Sequence, residues 1–179
     1  MLLSSSGPNP STLGDHLRKR RCNGVVRRGR VYVIDDDDAR HLHDHNVGAC
    51  FGEWSAAGDG STEAYELVLM PEETAYLSCI VGCLDVDFGS NETAFASDPT
   101  DGQLLSPATR LPRLLDLAVE ADPALAGDFS FEAALQRLVV YSHYRHKGLV
   151  VKDGVLLGTH FLLYRGAPSE VHSDYAIWV

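Results

Sequence analysis

The chain has 179 residues, of which 45% are hydrophobic, and a formal net charge of −10 at pH 7. This length allows one domain or two small ones, and the hydrophobic content predicts a buried core. The negative charge is not typical of a general nucleic-acid binder. No apolar run approaches the roughly 20 residues of a membrane span, and the N-terminus lacks the features of a secretory signal.

Positive charge is concentrated towards the two ends of the chain. Seven lysines and arginines lie within residues 18–30, and five more lie within residues 137–165. We therefore expect any RNA-contacting surface to come from these two segments. The stretch 18–21 has three open interpretations: a nuclear-import signal, a contact with RNA phosphates, or a solvated tail.

In chain order, the N-terminal half predicts alternating short strands and helices. The predicted elements are a disordered segment at 1–13, strands at 24–26 and 30–34, a helix at 35–45, a strand at 67–70 and a helix at 71–81. Arg28-Gly29 is the predicted turn between the first two strands. The acidic run Asp35 to Asp38 suits the positive end of a helix, so a structural role is the first choice for it.

The C-terminal half predicts two helices followed by strands. The helices are expected at 113–120 and 131–146, and the strands at 149–151, 159–164 and 175–179. For the longer helix, the apolar positions at helical spacing are Phe131, Leu135, Leu138 and Val139. Turn signals within residues 85–106 indicate a linker or a domain boundary.

Several histidines and cysteines are candidates for other chemistry. His41 and His45 would lie one turn apart on a helix and could bind a metal, but no further ligand follows at a suitable spacing, so no metal site is predicted. The four cysteines, Cys22, Cys50, Cys79 and Cys83, form no CxxC pair and are expected to be free, reduced thiols, and burial is expected for Cys79 and Cys83 on their apolar helix. Scaffold or surface roles are expected for His143, His146 and His160.

Tyr164 and His172 form the main candidate site. Tyr164 ends one predicted strand, His172 begins the next, and residues 165–171 connect them. If the two strands pair as a hairpin, the phenol and the imidazole face each other at one end of it, beside Arg165. Spacing alone also fits two ordinary surface residues.

A longer motif strengthens this hypothesis. Its parts are a tyrosine, Arg-x-x-Gly, a strand ending in lysine, a glycine turn, Gly-x-x-Phe-x-x-Tyr and His-Ser-x-Tyr. The matching residues are Tyr141 or Tyr144, Arg145, Gly148, Lys152, Gly154, Gly158, Phe161, Tyr164, His172, Ser173 and Tyr175. Residues 141–179 thereby resemble the catalytic domain of the tRNA-splicing (tRNA-intron) endonucleases. Leu162 to Arg165, with Pro168, favour the eukaryotic subunit that cuts the 5′ exon–intron junction.

The resemblance implies a fold class and a division of the chain. The expected class is α/β or α+β, with a helix and a mixed sheet in the catalytic part. Residues 1–29 are expected to be a disordered basic tail, and residues 30–86, which resemble the family more weakly, an N-terminal domain. Residues 87–128 are then a linker or insertion, and residues 129–179 an incomplete catalytic domain.

The resemblance also implies the chemistry. The family cleaves RNA without a metal or other cofactor, by attack of a ribose 2′-hydroxyl that leaves a 2′,3′-cyclic phosphate and a 5′-hydroxyl. Tyr164 then corresponds to the general base and His172 to the general acid, while Arg165 and Ser173 are expected to contact substrate. The family's third residue, a lysine on a later strand, has no counterpart before Val179.

The expected partners are intron-containing pre-tRNA and three other subunits, one catalytic and two structural. The expected location is the nucleus, with an organelle surface or the cytoplasm as alternatives. Because the third catalytic residue has no counterpart, the alternative function is a non-catalytic assembly or tRNA-binding subunit of the same complex.

Overall fold

A computed structural model describes residues 10–56, 65–89, 107–121 and 131–179. The helices are α1 (Pro10–Leu17), α2 (Asp36–Leu42), α3 (Pro71–Ala75), α4 (Pro107–Ala121) and α5 (Phe131–His146). The strands are β1 (Cys22–Arg27), β2 (Arg30–Val33), β3 (Glu53–Ala56), β4 (Tyr65–Leu69), β5 (Leu84–Asp87), β6 (Val150–Asp153), β7 (Phe161–Tyr164) and β8 (Tyr175–Ile177). The predicted α+β class is confirmed.

The strands form two sheets. The first has the order β3-β4-β2-β1-β5, with antiparallel pairs except for the parallel pair β1–β5, and the second is the antiparallel sheet β6-β7-β8. The predicted turn between β1 and β2 is confirmed. Arg28 and Gly29 have φ of 51° and 73°, which a tight two-residue hairpin requires because its twist must match that of the strands.

The two sheets share one hydrophobic core. Leu67 of β4 and Leu77, which follows α3, belong to the same buried cluster as Val151 of β6 and Phe161 of β7. The ring of Tyr141 on α5 lies edge-on to Phe161, with centroids 6.0 Å apart. The C-terminal sheet is therefore packed against the N-terminal part of the molecule through α5.

The predicted disordered tail is wrong for residues 10–29. They contain α1 and β1, and Leu13, Leu17 and Cys22 are buried in the shared core. Leu13 and Leu17 are four residues apart, so a short helix places both on one face, where their burial stabilises it. Residues 1–9 lie outside the described part of the chain, and the remaining domain divisions stay predictions.

The long C-terminal helix has its predicted bounds but a different buried face. Phe131, Leu135 and Val139 are exposed, whereas the buried residues are Ala134, Leu138, Tyr141 and Arg145. This second set follows the i, i+4, i+7, i+11 spacing of one helical face. The buried face of this helix thus includes Tyr141 and Arg145, so a pattern based on apolar residues alone predicts the wrong face.

Other differences concern the ends of elements. The helix predicted at 35–45 ends at Leu42 and is followed by a separate 3₁₀ turn at His45–Val47, while α3 continues into a π-helical turn at Tyr76–Val81. Strand β3 was not expected. Its four residues are all exposed, so it lacks the alternation that reveals a strand in a sequence.

Candidate active site

The hairpin of β7 and β8 carries both main candidate residues. Tyr164 is the last residue of β7, lies opposite Val150 of β6, and is half-buried. Strand β8 begins at Tyr175, so His172 lies in the connection before it and is exposed. The prediction that His172 begins a strand is therefore wrong.

The register of the hairpin defines how the two residues are offset. Leu163 lies opposite Tyr175, and the Asp174 amide donates a 2.8 Å hydrogen bond to the Leu163 carbonyl. Extending this register by one position places Asp174 opposite Tyr164. His172 lies two residues further along, so both candidates occupy the same end of the hairpin but are not directly opposite each other as predicted.

The connection between the strands is a defined turn. The amides of Glu170 and Val171 both donate to the carbonyl of Ala167, at 2.9 and 3.1 Å. Ala167 itself is buried. Because Ala167 anchors the turn to the protein interior, the backbone that leads to His172 is fixed while the imidazole remains accessible to a large substrate.

Arg165 and Ser173 flank the two candidates. The guanidinium Nε of Arg165 lies 3.6 Å from the Asp174 carboxylate, and its Nη2 lies 3.5 Å from the hydroxyl of Tyr175. The Arg165 side chain is 53% exposed, so the pair remains open to solvent. A phosphate that binds Arg165 would compete with Asp174 for it. Ser173 is half-buried next to this pair.

A second contact of Tyr164 was not predicted. Its side chain packs on a small buried cluster of Cys50, Val150 and Ala167. Cys50 comes from the loop before β3 and is far from Tyr164 in sequence. A contact of this kind leaves no local pattern, so sequence analysis could not find it.

Two further residues of the motif are buried rather than exposed at the surface. Lys152 is 8% exposed and its Nζ donates a 2.6 Å hydrogen bond to the Gly52 carbonyl. Arg145 is 2% exposed and donates to the carbonyls of Gly48, Ala49 and Leu149 at 2.8–3.3 Å. Both cations therefore attach the C-terminal part to the loop at 48–52.

The buried carboxylate of Glu73 and the buried phenol of Tyr141 lie near these cations. Glu73 is fully buried and accepts hydrogen bonds from the amides of Gly52 and Met70 at 3.0 and 2.9 Å. Burial raises the pKa of Glu73, although Lys152 opposes this effect. Burial also raises the pKa of Tyr141 well above its ordinary value, which makes Tyr141 unsuitable as a base.

The histidines considered as metal ligands have other contacts. His41 stacks on His16 with ring centroids 4.2 Å apart, and His45 lies in the 3₁₀ turn beyond the end of α2. The two are therefore not on one face of a helix. Within residues 10–56, 65–89, 107–121 and 131–179, no group of three His, Cys, Asp or Glu side chains could hold a metal ion.

The acidic run caps a helix and pairs with Arg20 of the basic segment. Asp35 caps α2 by accepting from the amide of Asp38 at 2.9 Å, which confirms the structural interpretation of this run. Arg20 pairs with Asp38 at 2.5 Å, and Arg21 pairs with Asp85 at 2.6 Å. These two arginines are thus engaged within the N-terminal part, which favours a structural role over a free tail.

The predicted burial is confirmed for Cys83 and only in part for Cys79. Cys22, Cys50 and Cys83 are buried and Cys79 is half-buried, and all four are free. Burial raises the pKa of Cys83 to about 11 and that of Cys22 to about 12. These are neutral packing groups at physiological pH. In the part of the chain that is described, no helix is both long and apolar enough to cross a membrane.

Comparison with known proteins defines the class of the segment that carries this hairpin. Residues 134–179, from within α5 to Val179, match the family described as tRNA intron endonuclease, catalytic C-terminal domain. This confirms the resemblance drawn from the motif, at the level of the family and for this segment.

A curated relative supports the same class. The tRNA-splicing endonuclease subunit Sen2-1 of Arabidopsis thaliana is 49% identical over 39 residues. The alignment covers 22% of this chain and 16% of that protein. The chain therefore matches only about a sixth of the relative's length.

Proposed function

We propose that this protein is a subunit of a tRNA-splicing endonuclease and that it contributes Tyr164 and His172 to cleavage of pre-tRNA at the 5′ splice site. One observation carries the proposal. The segment that matches the catalytic domain family contains both residues, and the β7–β8 hairpin brings them to the same end. The choice of the 5′ junction rests on Leu162 to Arg165 and Pro168, which resemble the subunit that cuts there.

The proposed reaction needs no metal. Tyr164, as its phenolate, accepts the proton of the ribose 2′-hydroxyl, and the 2′-oxygen attacks the adjacent phosphorus. The bond between phosphorus and the 5′-oxygen breaks, and His172 donates a proton to that leaving oxygen. The products are a 2′,3′-cyclic phosphate and a 5′-hydroxyl.

The surroundings of the two residues fit these roles. Tyr164 is half-buried and held on one side by packed apolar groups, so its ring has a restricted orientation. His172 is exposed at the end of an anchored turn, where a large RNA can reach it. Arg165 lies between them in sequence and can contact a phosphate if it exchanges its weak pair with Asp174.

Cleavage of an intron-containing pre-tRNA by the assembled complex tests the proposal. We expect Tyr164→Phe and His172→Ala each to lower the single-turnover rate at the 5′ junction by about 10²–10⁴-fold, which is the usual contribution of a general base or acid. Tyr65→Phe and His143→Ala are matched controls, because both residues are exposed and lie outside the hairpin. They should leave the rate unchanged.

The junction at which cleavage is lost distinguishes the alternative functions. Loss of cleavage at the 3′ junction only would assign the chain to the other catalytic position. Undiminished cleavage at both junctions in both variants would overturn the catalytic role and favour an assembly or tRNA-binding subunit. Cleavage by the same reconstituted complex also tests which other subunits are required.

We also propose that the complex acts in the nucleus. The support is the basic stretch at 18–21, in which Arg18 and Lys19 are exposed. Fluorescence microscopy of the tagged chain tests this location, with Arg18→Ala/Lys19→Ala as the variant. Retention of both forms at an organelle surface or in the cytoplasm would contradict it.

A further inference from the structure

The loop at residues 48–52, which precedes β3, has an unusual backbone. Gly48, Cys50 and Gly52 have φ of 69°, 46° and 67°, so three of its five residues are in the left-handed region. Gly52 has no room for a side chain, because a Cβ there would lie 2.8 Å from the carbonyl oxygen of Val68. Glycine is the ordinary residue for such a conformation, yet position 50 carries a side chain.

Side chains from other elements hold the carbonyls of this loop. Arg145 donates to Gly48 and Ala49, as described above, and Lys152 donates to Gly52. His43 Nδ1 lies 2.7 Å from the Phe51 carbonyl. Since a carbonyl can only accept, this nitrogen carries the hydrogen. Four of the five carbonyls are therefore fixed by three buried or half-buried side chains.

The loop is fixed from its amide side as well. Glu73 accepts from the Gly52 amide, and the Phe51 amide donates 3.0 Å to the carbonyl of Leu42. The guanidinium of Arg145 also lies over the ring of Phe51, 4.2 Å from its centroid. Contacts with α2, α3, α5 and β6 thus determine one conformation for the loop.

Cys50 connects this rigid loop to the candidate site. It is 1% exposed and belongs, with Val150 and Ala167, to the buried cluster on which Tyr164 packs. Val150 is the residue opposite Tyr164 in the sheet, and Ala167 anchors the turn that leads to His172. The cluster therefore touches the strand of one candidate residue and the turn of the other.

We propose that the 48–52 loop is a positioning element for Tyr164, and that Cys50 acts on the tyrosine ring by packing rather than by thiol chemistry. The strained backbone at Cys50 supports this, because such strain is retained where the side chain has a purpose that glycine cannot serve. Burial raises the pKa of the Cys50 thiol, which keeps it neutral. The catalytic consequence rests on the proposed function, but the positioning itself does not.

Nuclear magnetic resonance of the full chain labelled with ¹³C at the tyrosine ring carbons tests the positioning directly. The resonance of Tyr164 is assigned by its absence in Tyr164→Phe. We expect Cys50→Gly, which removes the side chain and suits the positive φ, to shift and broaden this resonance. Cys50→Ala, which keeps the Cβ, should have a smaller effect, and Lys152→Met should act like Cys50→Gly because it releases the loop.

Cys79→Ala is the matched control, since Cys79 is a partly buried thiol that packs on the main core instead. It should leave the Tyr164 resonance unchanged. Circular dichroism tests whether each variant is folded. If Cys50→Gly is unfolded, the Tyr164 resonance is measured in Cys50→Ala instead. A Tyr164 resonance identical to that of the wild type in folded Cys50→Gly, or in Cys50→Ala where Cys50→Gly does not fold, would overturn the inference.

Cleavage kinetics in the assembled complex separate this inference from the proposed function. A displaced base lowers kcat by roughly 10- to 100-fold and leaves KM unchanged. If the Tyr164 resonance moves in Cys50→Gly while Tyr164→Phe cleaves normally, the proposed function fails and the positioning stands. If Tyr164→Phe is inactive while Cys50→Gly keeps both the wild-type resonance and kcat, the positioning fails and the proposed function stands.

Discussion

Two parts of one motif lie in opposite environments in this molecule, one buried and one accessible. Arg145 and Lys152 are buried cations that bind backbone carbonyls of the 48–52 loop. Tyr164 and His172, which follow Lys152 by 12 and 20 residues, lie at the accessible end of a hairpin. Residues that occur together in a family pattern therefore fall into two groups here. The buried residues hold the fold, and the accessible residues are the candidates for chemistry.

The physical difference between the two parts is their access to water. A buried cation loses its hydration, so it must find acceptors in the protein, and removing it leaves those acceptors unpaired. An exposed imidazole keeps its hydration and costs little to replace. We therefore expect substitutions in the first part to change stability, and substitutions in the second part to change activity alone.

The largest effect is expected for Arg145→Ala. It leaves three carbonyls without a donor and removes the guanidinium from the ring of Phe51. The free energy of unfolding should fall by about 3–5 kcal/mol, because each buried carbonyl that loses its donor costs about 1–3 kcal/mol. Urea denaturation measures it, with Arg165→Ala as the exposed control. A loss below about 1 kcal/mol would show that the buried arginine is dispensable.

A coupling between Lys152 and Glu73 should be the next largest effect. The two side chains bind opposite sides of Gly52, one its carbonyl and the other its amide. Lys152→Met and Glu73→Gln should each cost roughly 1–3 kcal/mol. In a double-mutant cycle, the coupling should be about 0.5–3 kcal/mol. Strict additivity would mean that the two contacts with the loop are independent.

The pH dependence of stability should reveal Glu72. Glu72 pairs with Arg137 at 2.8 Å, but its other carboxylate oxygen is buried without a hydrogen-bond partner, and burial raises its pKa above the ordinary 4.5. A raised pKa means that the protonated form favours folding, so this contribution is present below pH 4.5 and is lost as pH rises through the folded pKa.

Comparison with Glu72→Gln isolates that contribution, because glutamine does not titrate. The free energy of unfolding of the wild type, minus that of Glu72→Gln, should decrease as pH rises from about 4.5 to 8. Glu53→Gln is the control for the same substitution at an exposed position, since Glu53 lies on β3. A difference that increases with pH would show that Arg137 outweighs burial.

The pair of Arg165 and Asp174 should contribute much less. Its atoms are 3.6 Å apart, and both side chains are at least one-third exposed. A double-mutant cycle with Arg165→Ala and Asp174→Ala should give about 0.2–1 kcal/mol, decreasing with added salt. A coupling above 2 kcal/mol would mean that Arg165 is a fixed part of the hairpin and is not available to a phosphate.

The parts of the fold that local pattern determines could be predicted. The bounds of α5 follow from a helical run that ends before Gly148, and the β1–β2 turn follows from Arg28-Gly29. The buried face of α5 could not be predicted, because Arg145 and Tyr141 are buried by long-range contacts that replace water. The exposed strand β3 lacks an apolar pattern altogether.

The candidate site shows the same division. Tyr164 and His172 could be selected because an ordered motif surrounds them. Cys50 could not, because only the three-dimensional structure joins the loop before β3 to β7. Sequence therefore indicates which groups are candidates for the chemistry, and the structure adds which groups pack against them.

The smallest change in stability is expected for His172→Ala, which makes this variant the sharpest test of the comparison. The imidazole is exposed and lies outside the strands, so the free energy of unfolding should change by less than about 0.5 kcal/mol. If cleavage by the assembled complex falls nonetheless, the loss cannot be attributed to unfolding. A destabilisation comparable to that of Arg145→Ala would instead place His172 with the residues that hold the fold, and the distinction between the two parts of the motif would then be lost.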